Sequence, residues 1–483
     1  MSLLDRFFLQ WAAAPDRAAF IQDDRLLTYR EVDRRARGIA AVLEERSIRP
    51  GNRVAIALER GIDAVVSIYA TLYLGACYVP LDIRNPARRL QGIVEDALPR
   101  AIIGAGGRPD WVVRNVDWLD VDQLSERQSS LASRAVAPEA LAAILYTSGS
   151  GGTPKGIALS HRAMTTFADW AGVAFSVGAE DRIASLAPFH FDLSVFDLFT
   201  TLGFGATVDF VPSELTLAPS RLSAWLDDRK ITCWYTVPSI LAFLAFKGNL
   251  ADRSFDKLTR ILFAGDVFPT PQLTKLARFL PTVNLFNLYG PTETNVCCYW
   301  PVDRARLDPA QPIPIGVPAC GARLRIDEVN GELLVKGPSL MSGYWKQGGL
   351  ETVFDRNGWY RSGDRVSRNE TGEFLYHGRL DRMLKCSGYR VEPAEIEALI
   401  CRFAGVEQCA VVGIPDPAGG RRPAAAIVFE GEPNLFGLAR SLRSQLPSYM
   451  QPARLIPCDH LPYLPNGKID YQTVGKMLRS EPL

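Results

Sequence analysis

Tyr146-Thr147-Ser148-Gly149-Ser150-Gly151-Gly152-Thr153-Pro154-Lys155-Gly156 concentrates hydroxyls, glycines and one lysine between two apolar runs. Upstream, Leu141-Ala142-Ala143-Ile144-Leu145 predicts a buried strand, and downstream Ile157-Ala158-Leu159 predicts another. Ser160 then stands as the N-cap of a helix that starts near His161. A loop of this composition can turn backbone N–H groups and hydroxyls toward a polyphosphate, and Lys155 adds positive charge. The Walker A pattern does not fit. Pro154 precedes the lysine, Gly156 follows it where Ser or Thr is required, and the loop joins strand to strand. Taken alone, it serves equally well as a glycine-rich surface hairpin.

Composition narrows the alternatives. At 483 residues the chain exceeds one compact core, so two or more structural units are expected. Hydrophobic residues make up 47% and charged residues 22%, the balance of a globular protein. A net charge of +1 gives no electrostatic footprint for nucleic acid or an anionic membrane. No apolar run reaches transmembrane length, and Met1-Ser2-Leu3-Leu4-Asp5-Arg6 lacks the layout of a signal peptide. The nine cysteines are scattered without metal-ligand spacing and there are only four histidines, which argues against a metal-catalysed enzyme and for a reduced, cytoplasmic compartment.

Before the loop the pattern alternates between helix and strand, so an α/β layering is expected. Leu27-Thr28-Tyr29-Arg30-Glu31-Val32 starts a predicted helix carrying Ala36, Ile39, Ala40 and Leu43 at helical spacing. Arg53-Val54-Ala55-Ile56-Ala57-Leu58 reads as a strand, residues 61–74 as a long apolar helix, and Gly75-Ala76-Cys77-Tyr78-Val79-Pro80-Leu81-Asp82 as a buried strand ended by a turn. Residues 126–138 are a connection. Beyond Asp364 short strands and turns take over, including Asn369-Glu370-Thr371-Gly372-Glu373. A boundary is expected around Arg379-Leu380-Asp381, dividing residues 1–380 from residues 381–483. The second part contains a hairpin turning at Ser387-Gly388 and a helix with Pro393 in its first turn.

The glycine-rich loop, together with Asn287-Leu288-Tyr289-Gly290-Pro291-Thr292-Glu293-Thr294, resembles the signatures of the adenylate-forming enzymes, which include nonribosomal-peptide-synthetase adenylation domains, acyl-CoA synthetases and luciferases. Gly151 departs from the family's usual Thr. The resemblance implies an α/β fold: a large N-terminal adenylate-forming domain of layered sheets and helices, then a small mobile α+β C-terminal domain. It implies ATP and Mg²⁺ as cofactors, with no prosthetic group. ATP contacts are implied for Thr147, Ser148, Gly149, Ser150, Gly152, Thr153 and Lys155 of the loop, and for Ala264-Gly265-Asp266 at an adenine-pocket turn. Further contacts are implied for Asn287, Leu288, Tyr289, Gly290 and Thr292. Tyr289 stacks on adenine in that reading, and Glu293 holds Mg²⁺, an ion that takes only one or two protein carboxylates. Asp364 accepts from the ribose hydroxyls, and Arg379 is a second ribose or phosphate contact. Lys468, in Pro465-Asn466-Gly467-Lys468-Ile469-Asp470, bridges the substrate carboxylate and the α-phosphate. Thr147, Lys155, Glu293 and Lys468 are the implied catalytic set. Asp381 falls at the family's hinge position, and the segment from Lys385 to Gly388 at its thiol tunnel.

His190-Phe191-Asp192-Leu193-Ser194-Val195-Phe196-Asp197 separates subfamilies. By resemblance, Asp192 pairs with the α-amino group of an amino acid, an interaction worth far more in a pocket than on a surface. The remaining pocket positions are Leu193, Phe196, Tyr235, Leu262, Ala264, Leu288, Val296 and Cys297, which leave a small apolar cavity. The combination is most similar to the stand-alone ligases that load L-proline onto a carrier protein for pyrrole biosynthesis, with Ala, Val, Ile or a pipecolate-like ring as other candidates. No Gly-Gly-x-Ser acceptor site stands in the chain, so a separate phosphopantetheinylated peptidyl carrier protein is the expected partner. An acyl-CoA synthetase-like ligase acting on another small apolar carboxylate is the alternative, and a catalytically silent binding module is a third reading. Lys468→Ala is expected to abolish carboxylate-dependent ATP–pyrophosphate exchange while circular dichroism shows an intact fold; near-normal exchange would remove Lys468 from the mechanism.

Overall fold

The computed structural model describes residues 2–113, 115–124, 127–149, 154–416, 420–464 and 469–480. Leu141–Thr147 and Lys155–Ser160 pair antiparallel, and Thr147 faces Lys155 as the last rung before the loop. The Ser160 hydroxyl accepts the Ala163 N–H at 3.1 Å and caps the helix His161–Ala174.

That strand pair sits inside an eight-stranded sheet. Its order is Gly349–Glu351, Gly343–Lys346, Lys155–Ser160, Leu141–Thr147, Cys77–Pro80, Arg53–Ala57, Ala101–Gly104, Asp117–Asp120. From Leu141–Thr147 onward the neighbours are parallel, which suits the inner strands Leu141–Thr147, Cys77–Pro80, Arg53–Ala57 and Ala101–Gly104, largely buried and apolar, while Asp117–Asp120 forms the more exposed edge. A nine-stranded sheet carries the parallel strands Cys233–Thr236, Arg260–Phe263 and Asn284–Tyr289 near one end.

The helix Ile62–Tyr73 joins the two sheets. All of its residues except Asp63 are buried, as an all-round apolar helix requires. Ile68 belongs to one core that includes Val54 of the first sheet and Phe20 and Val208 of the second. The Tyr69 hydroxyl donates to the Leu198 carbonyl at 2.8 Å. The helix expected from Leu27 begins at Tyr29 instead. Leu27 and Thr28 belong to the strand Arg25–Thr28, and Thr28 with Glu31 forms a capping box.

A four-stranded antiparallel sheet, Arg323–Ile326, Glu332–Lys336, Tyr360–Arg368 and Phe374–Arg379, leads into a small C-terminal α+β domain. There the hairpin Leu384–Cys386 and Tyr389–Val391 turns at Ser387 and Gly388, whose φ values are 52° and 85°. The strands Val406–Pro415, Arg421–Phe429 and Arg454–Pro457 are covered on both faces. Ala425 and Ile427 pack with Ile396, Ile400 and Leu438, and Ala424 and Ala426 pack with Val474 and Leu478. No helix among the described residues is long and apolar enough to cross a membrane.

Ile68, fully buried in the shared helix, is the position where a cavity would loosen both sheets at once. Ile68→Ala is expected to cost about 3 kcal/mol, read as a lowered urea midpoint.

Candidate functional site

The glycine-rich loop, the ends of the parallel strands and the C-terminal hairpin converge on one cleft of about 960 Å³, open mouth included. Thr147 and Ser148 enter from the strand pair, Gly290 to Thr292 from the end of Asn284–Tyr289, and Asp364 and Arg379 from the four-stranded sheet. Gly388, Tyr389 and Arg390 close it from the hairpin side. Openings beyond the carboxyl ends of parallel strands are where α/β proteins place ligands. A second cavity of about 520 Å³ adjoins it, lined by Gly265, Asp266, Asn287, Leu288, Tyr289 and Lys385 among others.

Glycine is required at two points. A Cβ on Gly290 would lie 1.6 Å from the Asn295 carbonyl oxygen, so the strand end could not approach its own return segment. A Cβ on Gly388 would lie 2.7 Å from Val237 Cγ1, and its φ of 85° is left-handed.

The loop contributes through its described flank. The Thr147 hydroxyl is buried without a hydrogen-bond partner, a donor available to a ligand. The Ser148 hydroxyl donates to the Arg390 carbonyl at 2.5 Å. The Gly149 N–H faces the Glu395 carboxylate. Ser150, Gly152, Thr153 and Lys468 lie outside the described residues.

Glu293 is fully buried behind the cleft wall. Its Oε1 accepts from Arg390 Nη1 and from the Tyr344 hydroxyl, both at 2.8 Å. Burial pushes this carboxyl up, but Arg390 and the Tyr344 hydrogen bond outweigh it and hold it below its usual range. Its Oε2 has no hydrogen-bond partner. That free oxygen suits a hard cation brought in with a polyphosphate. No group of three or more His, Cys, Asp or Glu assembles into a metal cage among the described residues. Lys155 sits beside Glu293 with its ammonium 3.9 Å above the Tyr344 ring; burial, then the Arg390 charge, holds it below its ordinary pKa.

Asp364 is held by two partners. Its Oδ2 accepts from the Tyr289 hydroxyl, and its Oδ1 accepts from Arg379 Nη1 at 3.0 Å. Arg379 also donates to Asp381 Oδ1 at 2.8 Å. Lys385 places its ammonium 5.7 Å from the Tyr289 ring centre. The Asp266 carboxyl, pushed up by burial, accepts the Val267 N–H at 2.8 Å. Asn287 donates to the Pro314 carbonyl, also at 2.8 Å.

Asp192, half-buried, lies on the cleft wall with Leu193, Tyr235, Ala264 and Val296. Burial raises its carboxyl to about 6, Glu293 adds to the rise, and a hydrogen bond from the Thr292 hydroxyl opposes it. Three positions expected on this wall stand behind it. Phe196 is fully buried in the π-helical turn Phe196–Thr200 and meets the Tyr235 ring edge-on at 5.6 Å. Leu262 lies two residues before Ala264 on the same strand face, one rung deeper. Cys297 turns away from Val296 into the cluster of Tyr289, Ile315 and Leu333. Leu288 lines the adjoining cavity instead.

Sequence reasoning left several cleft residues without a role. His190 is recessed 3.8 Å from Asp82, and burial draws its imidazole down to about 4, so it is neutral at pH 7. Tyr389 meets Phe191 edge-on at 4.6 Å and stacks on Tyr449 at 3.9 Å. Arg390 had a signal: a cation in Gly388-Tyr389-Arg390-Val391-Glu392, just after a tight turn. Asn295, with a left-handed φ of 50°, had none.

Residues 7–345 match the AMP-binding enzyme family model and residues 395–468 the AMP-binding enzyme C-terminal domain. An L-proline–[L-prolyl-carrier protein] ligase of Streptomyces coelicolor is 38% identical over 96% of this chain and 94% of its own length. One of Pseudomonas fluorescens is 34% identical, over 97% and 98%. Among solved structures, an o-succinylbenzoate CoA synthetase variant from Bacillus subtilis superposes with a TM-score of 0.87 at 22% identity, covering 99% of this chain and 98% of that one.

Proposed function

Because this chain belongs to the AMP-binding enzyme family, we propose that it activates an amino acid, L-proline, as the aminoacyl-AMP and passes it to the phosphopantetheine thiol of a separate carrier protein. The observation that carries this reading is one cleft lined at once by the loop residues Thr147 and Ser148, by Asp364, and by the recessed Asp192 beside an apolar wall. A nucleotide and a small ammonium-bearing carboxylic acid fit that lining together.

In the first step a substrate carboxylate oxygen bonds to the α-phosphorus of ATP, the bond to the β-phosphate oxygen breaks, and pyrophosphate leaves. The loop N–H groups, the Thr147 hydroxyl and Lys155 receive the departing anion. Glu293 would hold Mg²⁺, which neutralises phosphate charge when bound. Asp364 and Arg379 hold the ribose, Tyr289 and the Ala264-Gly265-Asp266 turn hold adenine, and Lys468 brings the two reacting anions together. In the second step the thiol sulfur bonds to the acyl carbon, the bond to AMP breaks, and the thiol proton passes to solvent. Lys385 and Gly388 sit where the arm would enter, with Asp381 as the hinge between residues 1–380 and 381–483.

Proline is supported by the two relatives named for it and by the wall itself. Leu193, Tyr235, Ala264 and Val296 offer only the tyrosine hydroxyl as a polar group, with Phe196 stiffening Tyr235 from behind. A pyrrolidine ring fills such a wall without stranding a polar atom. A pyrrole-type secondary-metabolite pathway is the setting that this substrate suggests. All nine cysteines are free thiols, in keeping with a cytoplasmic location.

Two measurements test the substrate. In ATP–pyrophosphate exchange across the common amino acids, proline is expected to lead, and another small apolar residue exceeding it would overturn the assignment. Asp192 must be ionised to pair with an ammonium. Protonation as pH falls through about 6 should therefore weaken the substrate, with kcat/KM dropping toward tenfold per unit below that value. Asp192→Asn should lower kcat/KM at every pH and flatten this limb, and a retained limb would exclude Asp192 as its source.

A further inference from the structure

In the C-terminal domain the helix Pro393–Ile400 is followed by a short turn and then by the strand Val406–Pro415, so the helix end lies against the strand it precedes. Cys401 ends the helix, and its N–H donates to the Glu397 carbonyl at 2.9 Å. Cys409 stands on the strand, in the core with Ile396, Ile400 and Val411, and its thiol donates to the same carbonyl at 3.6 Å. One carbonyl thus gathers both residues. Their sulfurs are 3.4 Å apart across a sequence separation of eight, and neither lines the cleft.

The two thiols differ in their surroundings. Cys401 is exposed, whereas Cys409 is 7% exposed. Burial first, then the neighbouring Cys401, pushes the Cys409 thiol far above its ordinary pKa. Of the other seven cysteines, six are buried and Cys458 is half-buried, so Cys401 is the sulfur that a reagent in solution meets first.

We propose that Cys401 and Cys409 form a reversible disulfide, with Cys401 as the entry thiol and a small disulfide of the glutathione type as the oxidant. The Cys401 thiolate attacks one sulfur of the reagent, whose S–S bond breaks; one glutathione leaves as its thiolate, and Cys401 holds the other in a mixed disulfide. Cys409 then loses its proton, its sulfur attacks that of Cys401, and the second glutathione leaves. Two protein thiols are oxidised, one glutathione disulfide is reduced to two thiols, and the two protons that the protein loses end on them. Excess reduced glutathione runs the same exchange backwards. A reachable thiol with a resolving thiol at its side is the arrangement that such chemistry uses.

The test treats the reduced full-length protein with oxidised glutathione and quenches it with acid. The remaining thiols are then alkylated under denaturing conditions, and the peptides are mapped by mass spectrometry. Seven of the nine thiols should survive, with Cys401 joined to Cys409 and no glutathione retained, and dithiothreitol should restore all nine. Cys409→Ala should stop at the mixed disulfide on Cys401. Cys401→Ser, a change at an exposed position, should leave Cys409 unmodified over the same period. The wild-type map decides the pairing even where Cys409→Ala fails to fold. Wild-type protein that does not react, that keeps glutathione on Cys401 beside a free Cys409, or that pairs either cysteine elsewhere would overturn the proposal. Modification of Cys409 at the wild-type rate in Cys401→Ser would overturn it as well.

Discussion

A carboxylate that is entirely out of water must take up a proton or find a cation, and Glu293 has found one. Much of the site follows from that constraint. The residue sits one turn beyond the strand Asn284–Tyr289, where Gly290 lets the chain fold back on itself without a clash. Tyr344 supplies one hydrogen bond and Arg390 the compensating charge, from a different domain. An ion pair between domains costs desolvation on both sides, so its net contribution to stability is small. Its value lies in specificity, because it fixes which face of the C-terminal domain meets the cleft.

The same logic separates two carboxylates of the cleft, Glu293 and Asp192. Glu293 is paired with a cation and held below its usual range, whereas Asp192 has only neutral donors, the Thr292 hydroxyl and the Asp192 and Leu193 N–H groups, and rises to about 6. An unpaired acid in a recess is a site prepared for a cation that has not yet arrived. The apolar wall beside it contributes shape, and a missing methylene there is worth only about 1–3 kcal/mol. In the proposed reading, Asp192 would set the class of substrate strongly, and Leu193, Tyr235, Ala264 and Val296 would choose within the class more weakly.

Much of this was legible in the chain. The strand pair around the loop, the Ser160 cap and the all-apolar helix at Ile62–Tyr73 follow from local pattern, since each is decided by side chains within a few residues. The start of the helix at Tyr29 was not, because Thr28 finishes a strand and caps the helix at once, and only tertiary pairing reveals the strand. In the pocket, the resemblance named Leu262 but could not give its depth along the strand. The resemblance likewise named Cys297, which packs with Tyr289, Ile315 and Leu333 two residues after the left-handed Asn295. A left-handed asparagine leaves no mark in sequence beyond its residue type.

Arg390, Glu392 and Glu395 show a different limit. Their charges are plain in the sequence, yet charges at a turn are usually solvated, and nothing local says that this turn lands on a phosphate loop some 240 residues earlier. Position decides their meaning. The hairpin meets the cleft where Gly388 fits against Val237 and where Tyr389, stacked on Tyr449, meets Phe191 edge-on, so apolar and aromatic contacts hold it there. Those contacts are short-ranged and indifferent to what the cleft holds. The Arg390–Glu293 pair adds what those contacts lack, a match of charge between the hairpin and a buried carboxylate of the cleft wall.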